Sequence, residues 1–419
     1  MSKIVIIGLG YVGLPLAKLF LQKKHVVYGI DYDVKKIEAI NRGKSYLSDF
    51  SDEEIMKMVE TGNFHAGNSY QVIEKSDTII LCVPTPLKED DTPDISFIEK
   101  AVENSVPFLK EGQLMVLESS TYPGTTEEIL VQAISAKGFD IGSDFYIAYS
   151  PERIDPGQKL FKLEEIPKIV GGVTPNCTEK ARGIYESIFQ TVITVSSPKI
   201  AEMSKLVENT QRLINISFMN ELAIVCNELE VDIWEVIRAC STKPFGFTPY
   251  YPGPGIGGHC IPVDPLYLLW KARQYHVNMD MVEMAKSINN RMPEFVIEKT
   301  LNTLGIPFQE AKLLVIGITY KKDVNDMRES KALEVMAKLI EKGAKVKYFD
   351  PYIESITINN EVYHSTEITP EILQEVDCSL ILTDHSTLPI EEIVKESKIV
   401  VDTRNATKDY KGFDNIVLL

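Results

Sequence analysis

The stretch Gly8-Leu9-Gly10-Tyr11-Val12-Gly13 constrains the fold of this 419-residue chain more than any other segment. A β-branched run over residues 4–7 precedes it, an amphipathic stretch to Lys24 follows, and a second apolar run over 26–30 ends at Asp31. Strand, glycine turn, helix, strand and then an acid about 20 residues beyond the glycines is the arrangement of a dinucleotide-binding unit. The first two glycines permit a tight turn and close approach of a pyrophosphate. The third lets the helix pack on the strand, and the helix N-terminus faces the phosphates. Asp31 is expected to bind both ribose hydroxyls. A carboxylate there repels a 2'-phosphate, and Tyr32 and Asp33 supply no guanidinium, so NAD rather than NADP is the expected cofactor.

Further strands are expected over 78–83 and 114–117, ending in Pro84-Thr85-Pro86 and in Ser119-Ser120-Thr121-Tyr122-Pro123-Gly124. The run 145–149 leads into Ser150-Pro151-Glu152-Arg153. These loops lie where a doubly wound sheet presents its carboxyl ends. Their hydroxyls suit either a ligand or the local backbone. From Ser197-Pro198 the periodicity turns helical to about residue 230, with Met203, Leu206, Val207, Leu213, Ile214, Met219 and Leu222 expected in the core. Lys205 and Asn209, four apart, share one face of that helix, as a converging pair or as a surface lysine and a tolerated asparagine. A helix is expected over 233–239 and another over 266–300.

From Lys312 the opening theme recurs: strand 313–318, helix 329–341, strand 345–349 ending at Asp350-Pro351, and a run at 379–383 echoing 78–83. Its first turn, residues 317–322, lacks the glycine signature, which predicts a degenerate nucleotide half for a different phosphate ligand. Lys321 and Arg328 are candidate anion contacts there, or plain surface charges. The predicted fold is α/β: two Rossmann-like doubly wound domains joined by a central helical domain. Boundaries are expected at 1–197, 198–305 and 306–419.

Residues 252–265, PGPGIGGHCIPVDP, crowd glycines and prolines around Cys260, which predicts a shaped loop rather than helix or central strand. The thiol is either a nucleophile or a small buried hydrophobe, and Asp264 brings a carboxylate within reach. A formal net charge of -16 argues against nucleic acid or an anionic membrane as partner. Six cysteines without CxxC spacing suggest neither a metal site nor a disulfide scaffold, and fit a reducing cytoplasm. The N-terminal apolar run is too short for a signal peptide, and no apolar run approaches a membrane span, so neither secretion nor insertion is expected.

Taken together, GLGYVG, SPERIDPG at 150–157, KLVEN at 205–209, GIGGHCIPVDP at 255–265 and YKKDVNDMRES at 320–330 resemble the UDP-glucose/GDP-mannose dehydrogenase family. The match runs in order along essentially the whole chain. Within the family, TKPFGFTPYYPGPGIGGHCIPVDP is most similar to the branch acting on UDP-N-acetylglucosamine. The resemblance implies an N-terminal NAD domain, a central helical domain forming a homodimer, and a C-terminal domain holding the UDP moiety. It assigns Cys260 as nucleophile, Lys205 and Asn209 to polarise the sugar oxygen, and Asp264, Thr121 and Glu152 to water and proton transfer. NAD would be held by Gly8, Gly10, Tyr11, Val12, Gly13, Asp31, Lys36, Thr85, Thr121 and Arg328. The sugar nucleotide would meet Glu152, Arg153, Lys205, Asn209, Tyr250, Tyr251, Gly253, Gly257 and Lys321.

Three departures bear on the substrate. Val263 stands where UDP-glucose enzymes of the family carry a lysine. Pro156 replaces their second glutamate, and the segment Thr242-Lys243-Pro244 lacks their cross-dimer arginine, for which Lys243 is the candidate substitute. The implied reaction is a four-electron oxidation at C6 of UDP-N-acetylglucosamine through a cysteine thiohemiacetal and thioester, releasing two NADH. UDP-N-acetylmannosamine, UDP-N-acetylgalactosamine and UDP-glucose are the alternative substrates, and a non-catalytic NAD and nucleotide-sugar sensor is the alternative of another class.

Overall fold

The computed structural model describes residues 1–47, 50–153, 160–410 and 412–419. The chain forms two compact units, Met1–Glu208 with Val263–Asn278, and Asn209–Pro262 with Met279–Leu419.

Among its described residues the first unit holds one sheet of β1 (Lys3–Ile7), β2 (Val26–Ile30), β3 (Phe64–Gly67), β4 (Thr78–Leu81), β5 (Leu114–Leu117), β6 (Tyr146–Tyr149), β7 (Lys168–Gly172) and β8 (Val192–Val195). Their order is β3-β2-β1-β4-β5-β6-β7-β8, the doubly wound order with two strands added at one edge. All neighbours are parallel except β6 and β7, which pair Ala148 with Gly172 and Tyr149 with Gly171 antiparallel. Val5, Ile6, Ile79, Ile80 and Val116 are fully buried, as expected of parallel strands covered on both faces. The cover comes from α1 (Gly13–Gln22), α2 (Val34–Asn41), α3 (Asp52–Glu60), α4 (Ser96–Ser105), α5 (Gln132–Ala136) and α6 (Pro175–Glu186). The sequence reading did not foresee β3, β7 or β8, which are short or glycine-containing.

The central helices are α7 (Pro198–Glu228), α8 (Ile233–Ser241), α9 (Asp264–Gln274) and α10 (Asp280–Leu304). The single helix expected over 266–300 is therefore two, interrupted where His276 takes a φ of 57°. On α7, Leu206, Leu213 and Met219 are buried as expected. Met203 and Val207 are not: they are 41% and 51% exposed, because they lie on the helix face that also presents Ile200, Phe218 and Val225 to solvent.

The second unit's sheet runs β10-β9-β13-β14-β15, all parallel, from β9 (Lys312–Ile316), β10 (Lys345–Phe349), β13 (Cys378–Ile381), β14 (Val400–Asp402) and β15 (Ile416–Leu418). A hairpin of β11 (Ser355–Ile358) and β12 (Glu361–His364) stands beside it. Helices α10 and α11 (Lys331–Glu341) contribute Met292, Val296, Val335 and Leu339 to one core, and α12 (Pro370–Glu375) and α13 (Ile390–Glu396) contribute Leu373 and Ile393 to the other. No described helix is long and apolar enough to cross a membrane.

Candidate active site

In the first unit, the turn after β1 is built by crowding at two glycines and emptiness at the third. A Cβ on Gly8 (φ +98°) would lie 2.4 Å from the Cys82 carbonyl oxygen, and one on Gly13 1.9 Å from that of Gly8. Around Gly10 there is nothing within 4 Å of such an atom. The backbone is thus bare on the side where a pyrophosphate approaches. Helix α1 has no side-chain cap and no acid in its first turn, so its N-terminal N–H groups and dipole are left to an anion. Asp31, buried at the end of β2, accepts from Leu9 N–H (2.9 Å) and Asp33 N–H (2.9 Å), with the Lys36 ammonium at 3.5 Å. These bonds aim its carboxylate without saturating it. Tyr11 and Val12 are half-buried against the core beneath. Residues so arranged fit NAD, the phosphates at Gly10 and α1 and the ribose at Asp31.

The next two strand ends are laced together. Thr85 donates its hydroxyl to the Ser120 carbonyl (2.6 Å) and Ser119 to that of Val83 (2.7 Å). Tyr267 of α9, fully buried, donates to the Thr85 carbonyl. Thr121 is buried with its Oγ1 2.7 Å from that of Thr125. Glu202, on the first turns of α7 and fully buried, accepts from Gly124 N–H (2.6 Å), Thr126 N–H (2.9 Å) and the Thr126 hydroxyl (2.7 Å). It ties the Thr121 turn to the helix that carries Lys205. Burial, offset by these donors, still leaves its carboxyl raised. No local signal marks this role, since Glu202 reads as one more polar residue on a long helix.

At the end of β6, Tyr149 is fully buried, and burial followed by the fields of Glu202, Asp264, Glu118 and Glu152 pushes its phenol well up. The charges of four carboxylates of the first unit thus act on one phenol. Glu118, at the end of β5, is fully buried with Lys168 Nζ at 2.5 Å and accepts from the Tyr185 hydroxyl. Burial raises the Glu118 carboxyl against the pull of Lys168. Asp264 is buried in the opening turn of α9. Lys205 and Asn209 are 6% and 4% exposed, so the shared helical face is an inward one, not a surface lysine with a tolerated asparagine. Pro156 lies outside the described residues.

In the second unit, the loop holding Cys260 is stitched by side-chain amides. Asn220 on α7 accepts from Gly253 N–H (3.0 Å), and Asn289 on α10 accepts from Ile256 N–H (2.6 Å) while donating to the Ile256 carbonyl (3.2 Å). Gly258 N–H donates to the Arg328 carbonyl (3.0 Å). A Cβ on Gly257 would stand 2.5 Å from the Glu329 carbonyl oxygen, and one on Gly258 2.7 Å from the Tyr320 ring. Only glycine allows this approach. Cys260 is half-buried, and burial, followed by the charge of Arg328, lowers the basicity of its neighbour His259. Asn220 and Asn289 escaped the sequence reading, although a buried asparagine on an otherwise apolar helix face is a usable signal for such a role.

The remaining residues also lie in the second unit. Tyr250 packs against Met219 and Trp234, and Tyr251, 56% exposed, stacks on Trp234 (6.1 Å, 17°). A Cβ on Gly253 would meet the guanidinium of Arg404 at 2.4 Å, and Arg404 Nε donates to the Leu382 carbonyl (2.9 Å). Arg404, just beyond the carboxyl end of β14, is a cation the sequence reading overlooked. Lys321 is half-buried. Arg328 is exposed and held by both oxygens of Asp326 (shortest contact 2.7 Å), which fixes its plane. Lys243 is exposed over the Phe245 ring (5.0 Å). Val263 is buried at the start of α9.

Comparison with known proteins gives the family. Three family models match in order: the NAD binding domain of the UDP-glucose/GDP-mannose dehydrogenase family over residues 2–189, its central domain over 199–291 and its UDP binding domain over 314–409. A UDP-N-acetyl-D-mannosamine dehydrogenase of Methanococcus maripaludis is 34% identical, covering 96% of this chain and 93% of that protein. A UDP-N-acetyl-D-glucosamine 6-dehydrogenase of Pseudomonas aeruginosa is also 34% identical, covering 88% and 86%. The solved UDP-D-ManNAc dehydrogenase of Pyrococcus horikoshii superposes with a TM-score of 0.88 at 31% identity, over 99% and 98% of the two chains. The chain belongs to the UDP-glucose/GDP-mannose dehydrogenase family and is an NAD-dependent nucleotide-sugar dehydrogenase.

Proposed function

We propose that this enzyme oxidises the C6 alcohol of a UDP-2-acetamido-hexose to the carboxylate in two steps at Cys260. The observation that carries the reading is the backbone-stitched loop of residues 252–265, which spends glycines, prolines and two buried asparagines on presenting one half-buried thiol. An alcohol dehydrogenase that stops at the aldehyde has no use for such a thiol.

NAD, when bound, accepts the hydride leaving C6. Lys205 and Asn209, on the inward face of α7, hold O6 while its proton leaves and stabilise the negative charge that O6 later develops. The Cys260 thiolate adds to the C6 aldehyde carbon, forming a C–S bond and a thiohemiacetal. Once C6 has given up a second hydride, to a second NAD bound after the first NADH has left, the adduct is a thioester. Water attacks it, the C–S bond breaks, and the thiolate returns. Asp264, Thr121 and Glu152 position that water and take its proton. Lys321 and Arg404 supply positive charge for the sugar nucleotide's diphosphate, Arg328 supplies it for NAD, and Tyr250, Tyr251, Gly253 and Gly257 form the wall beside the sugar nucleotide. In this reading the domain boundaries lie at 197 and 305.

The sequence motifs alone favoured the gluco epimer. The relatives named for UDP-N-acetyl-D-mannosamine, at similar identity over more of the chain, move our first choice to the manno epimer. A panel of UDP-sugars followed by NADH absorbance decides: turnover should be highest with the two 2-acetamido epimers, and a preference for UDP-glucose would refute the assignment. Cys260→Ala should abolish turnover, a loss of about 1,000-fold or more; undiminished turnover would refute the role of the thiol. Homodimerisation is supported by the solvent-facing row Ile200, Met203, Val207, Phe218 and Val225 along α7, which a second copy would cover.

A further inference from the structure

The chain leaving β6 and the chain returning into β7 are joined beyond their strand pairing by side chains. The Ser150 hydroxyl donates to the Ile169 carbonyl (2.7 Å). Lys168 Nζ donates to the Pro151 carbonyl (3.2 Å) while paired with buried Glu118. Arg153 Nη1 donates to the Pro167 carbonyl (2.8 Å). Each side of the stem thus offers one cation to a carbonyl of the other, and Glu152 stands between the two crossings.

Arg153 does more than close the stem. Its Nη2 and Nε reach Glu208 Oε1 at 2.7 Å and Oε2 at 3.4 Å. Glu208 lies on α7 between Lys205 and Asn209 in the sequence. One guanidinium therefore ties three things together: the residue after Glu152, the far side of the stem, and the helix carrying the oxyanion pair. Only an arginine can do so, because its planar fork serves a carboxylate with two N–H groups and still has a third for the carbonyl.

We propose that Arg153 is a positioning residue, not a substrate contact, and that with Glu208 it sets Glu152 in register with Lys205. The proposal rests on the reading of Glu152 as a proton-transfer group. With three of its five N–H groups on Glu208 and Pro167, and both side chains of the ion pair partly exposed, the guanidinium is a strut at the edge of the stem, in contrast to the substrate-binding role that the sequence resemblance gave it.

The test is a double-mutant cycle on the full-length enzyme with its best UDP-sugar. Arg153→Met should lower kcat about 100-fold, the scale of a misplaced catalytic group, with KM for the sugar within about threefold of the parent. Glu208→Gln, which keeps the shape and removes one charge, should lower kcat about tenfold. The double variant should be no slower than Arg153→Met alone. Arg153→Lys should recover only part of the rate, since an ammonium cannot hold both partners. A raised KM with unchanged kcat in Arg153→Met would make Arg153 a substrate contact and overturn the proposal, as would multiplicative effects of the two substitutions. Glu152→Gln separates the two claims. Full turnover in that variant overturns both, whereas impaired turnover with silent Arg153→Met and Glu208→Gln overturns the strut alone. Thermal unfolding of Glu208→Gln should match the parent; a large drop would mean its rate effect is a loss of fold, and would also count against the proposal.

Discussion

The turns after β1 and after β9 use the same backbone scaffold to opposite ends. Gly8 N–H donates to the Ile30 carbonyl and Gly317 N–H to that of Phe349, each at 2.8 Å. Asp31 accepts from the N–H groups of Leu9 and Asp33; Asp350 accepts from those of Ile318 and Tyr352, at 2.8 and 2.9 Å. Beyond that the two diverge. Gly10 faces open space in the first turn, whereas the corresponding Thr319 is buried and its hydroxyl donates to the Lys321 carbonyl (3.0 Å). Helix α1 opens uncapped at Gly13, but α11 opens only at Lys331 and is capped by the Ser330 hydroxyl. The space before Asp350 is taken by His385. Its Nδ1 accepts from Asp323 N–H (3.0 Å), so its proton is on Nε2, directed at Asp350 Oδ2 (3.2 Å) and Thr319 Oγ1 (3.3 Å). The first turn leaves its donors and its acid to a ligand. The second satisfies them internally, and its longer loop carries the half-buried Lys321 and the exposed Arg328 instead.

The largest break in this comparison should come from Gly13→Ala, whose new methyl would stand 1.9 Å from a backbone oxygen. It should cost about 3 kcal/mol or more in chemical denaturation and abolish NAD binding. His385→Leu removes a buried donor from Asp350 and an acceptor from Asp323. It should cost about 1–3 kcal/mol while leaving NAD affinity unchanged, and weakened NAD binding would contradict the division of roles. Gly10→Ala sharpens the contrast from the other side. Stability should stay within about 0.5 kcal/mol of the parent while NAD affinity, measured by calorimetry, falls.

The smallest effect is one of pH. Burial pushes the Asp350 carboxyl up, but hydrogen bonds from His385, Ile318 and Tyr352 outweigh it and hold it below the usual range. A depressed folded-state value means stability that is present above the unfolded value, about 3.9, and lost as pH falls through the folded one. Asp350→Asn should therefore flatten the fall of stability in that acid window; an unchanged slope would contradict it.

The first turn was legible in the sequence because each of its devices leaves a residue-type trace: two crowded glycines, one bare glycine and an acid at fixed spacing. The second was legible only as a degenerate echo. His385 lies far from Thr319 in the chain, and nothing local marks it as the group that fills the turn. The same limit hid Glu202, Asn220 and Asn289, which act on backbone brought to them by tertiary packing. It also misplaced Met203 and Val207: apolar periodicity identifies a helix face, but not whether this chain or another covers it. The run of residues 252–265 was readable as a shaped loop from its glycines and prolines alone, while the amides that hold it were not.

The central claim is that Cys260 carries the sugar through both oxidations. The direct measurement is the amount of NADH formed when a limiting, weighed quantity of the best UDP-sugar is driven to completion. Two NADH per sugar, with a uronic acid as the only product, is the predicted result. One NADH per sugar, with aldehyde accumulating, would contradict it.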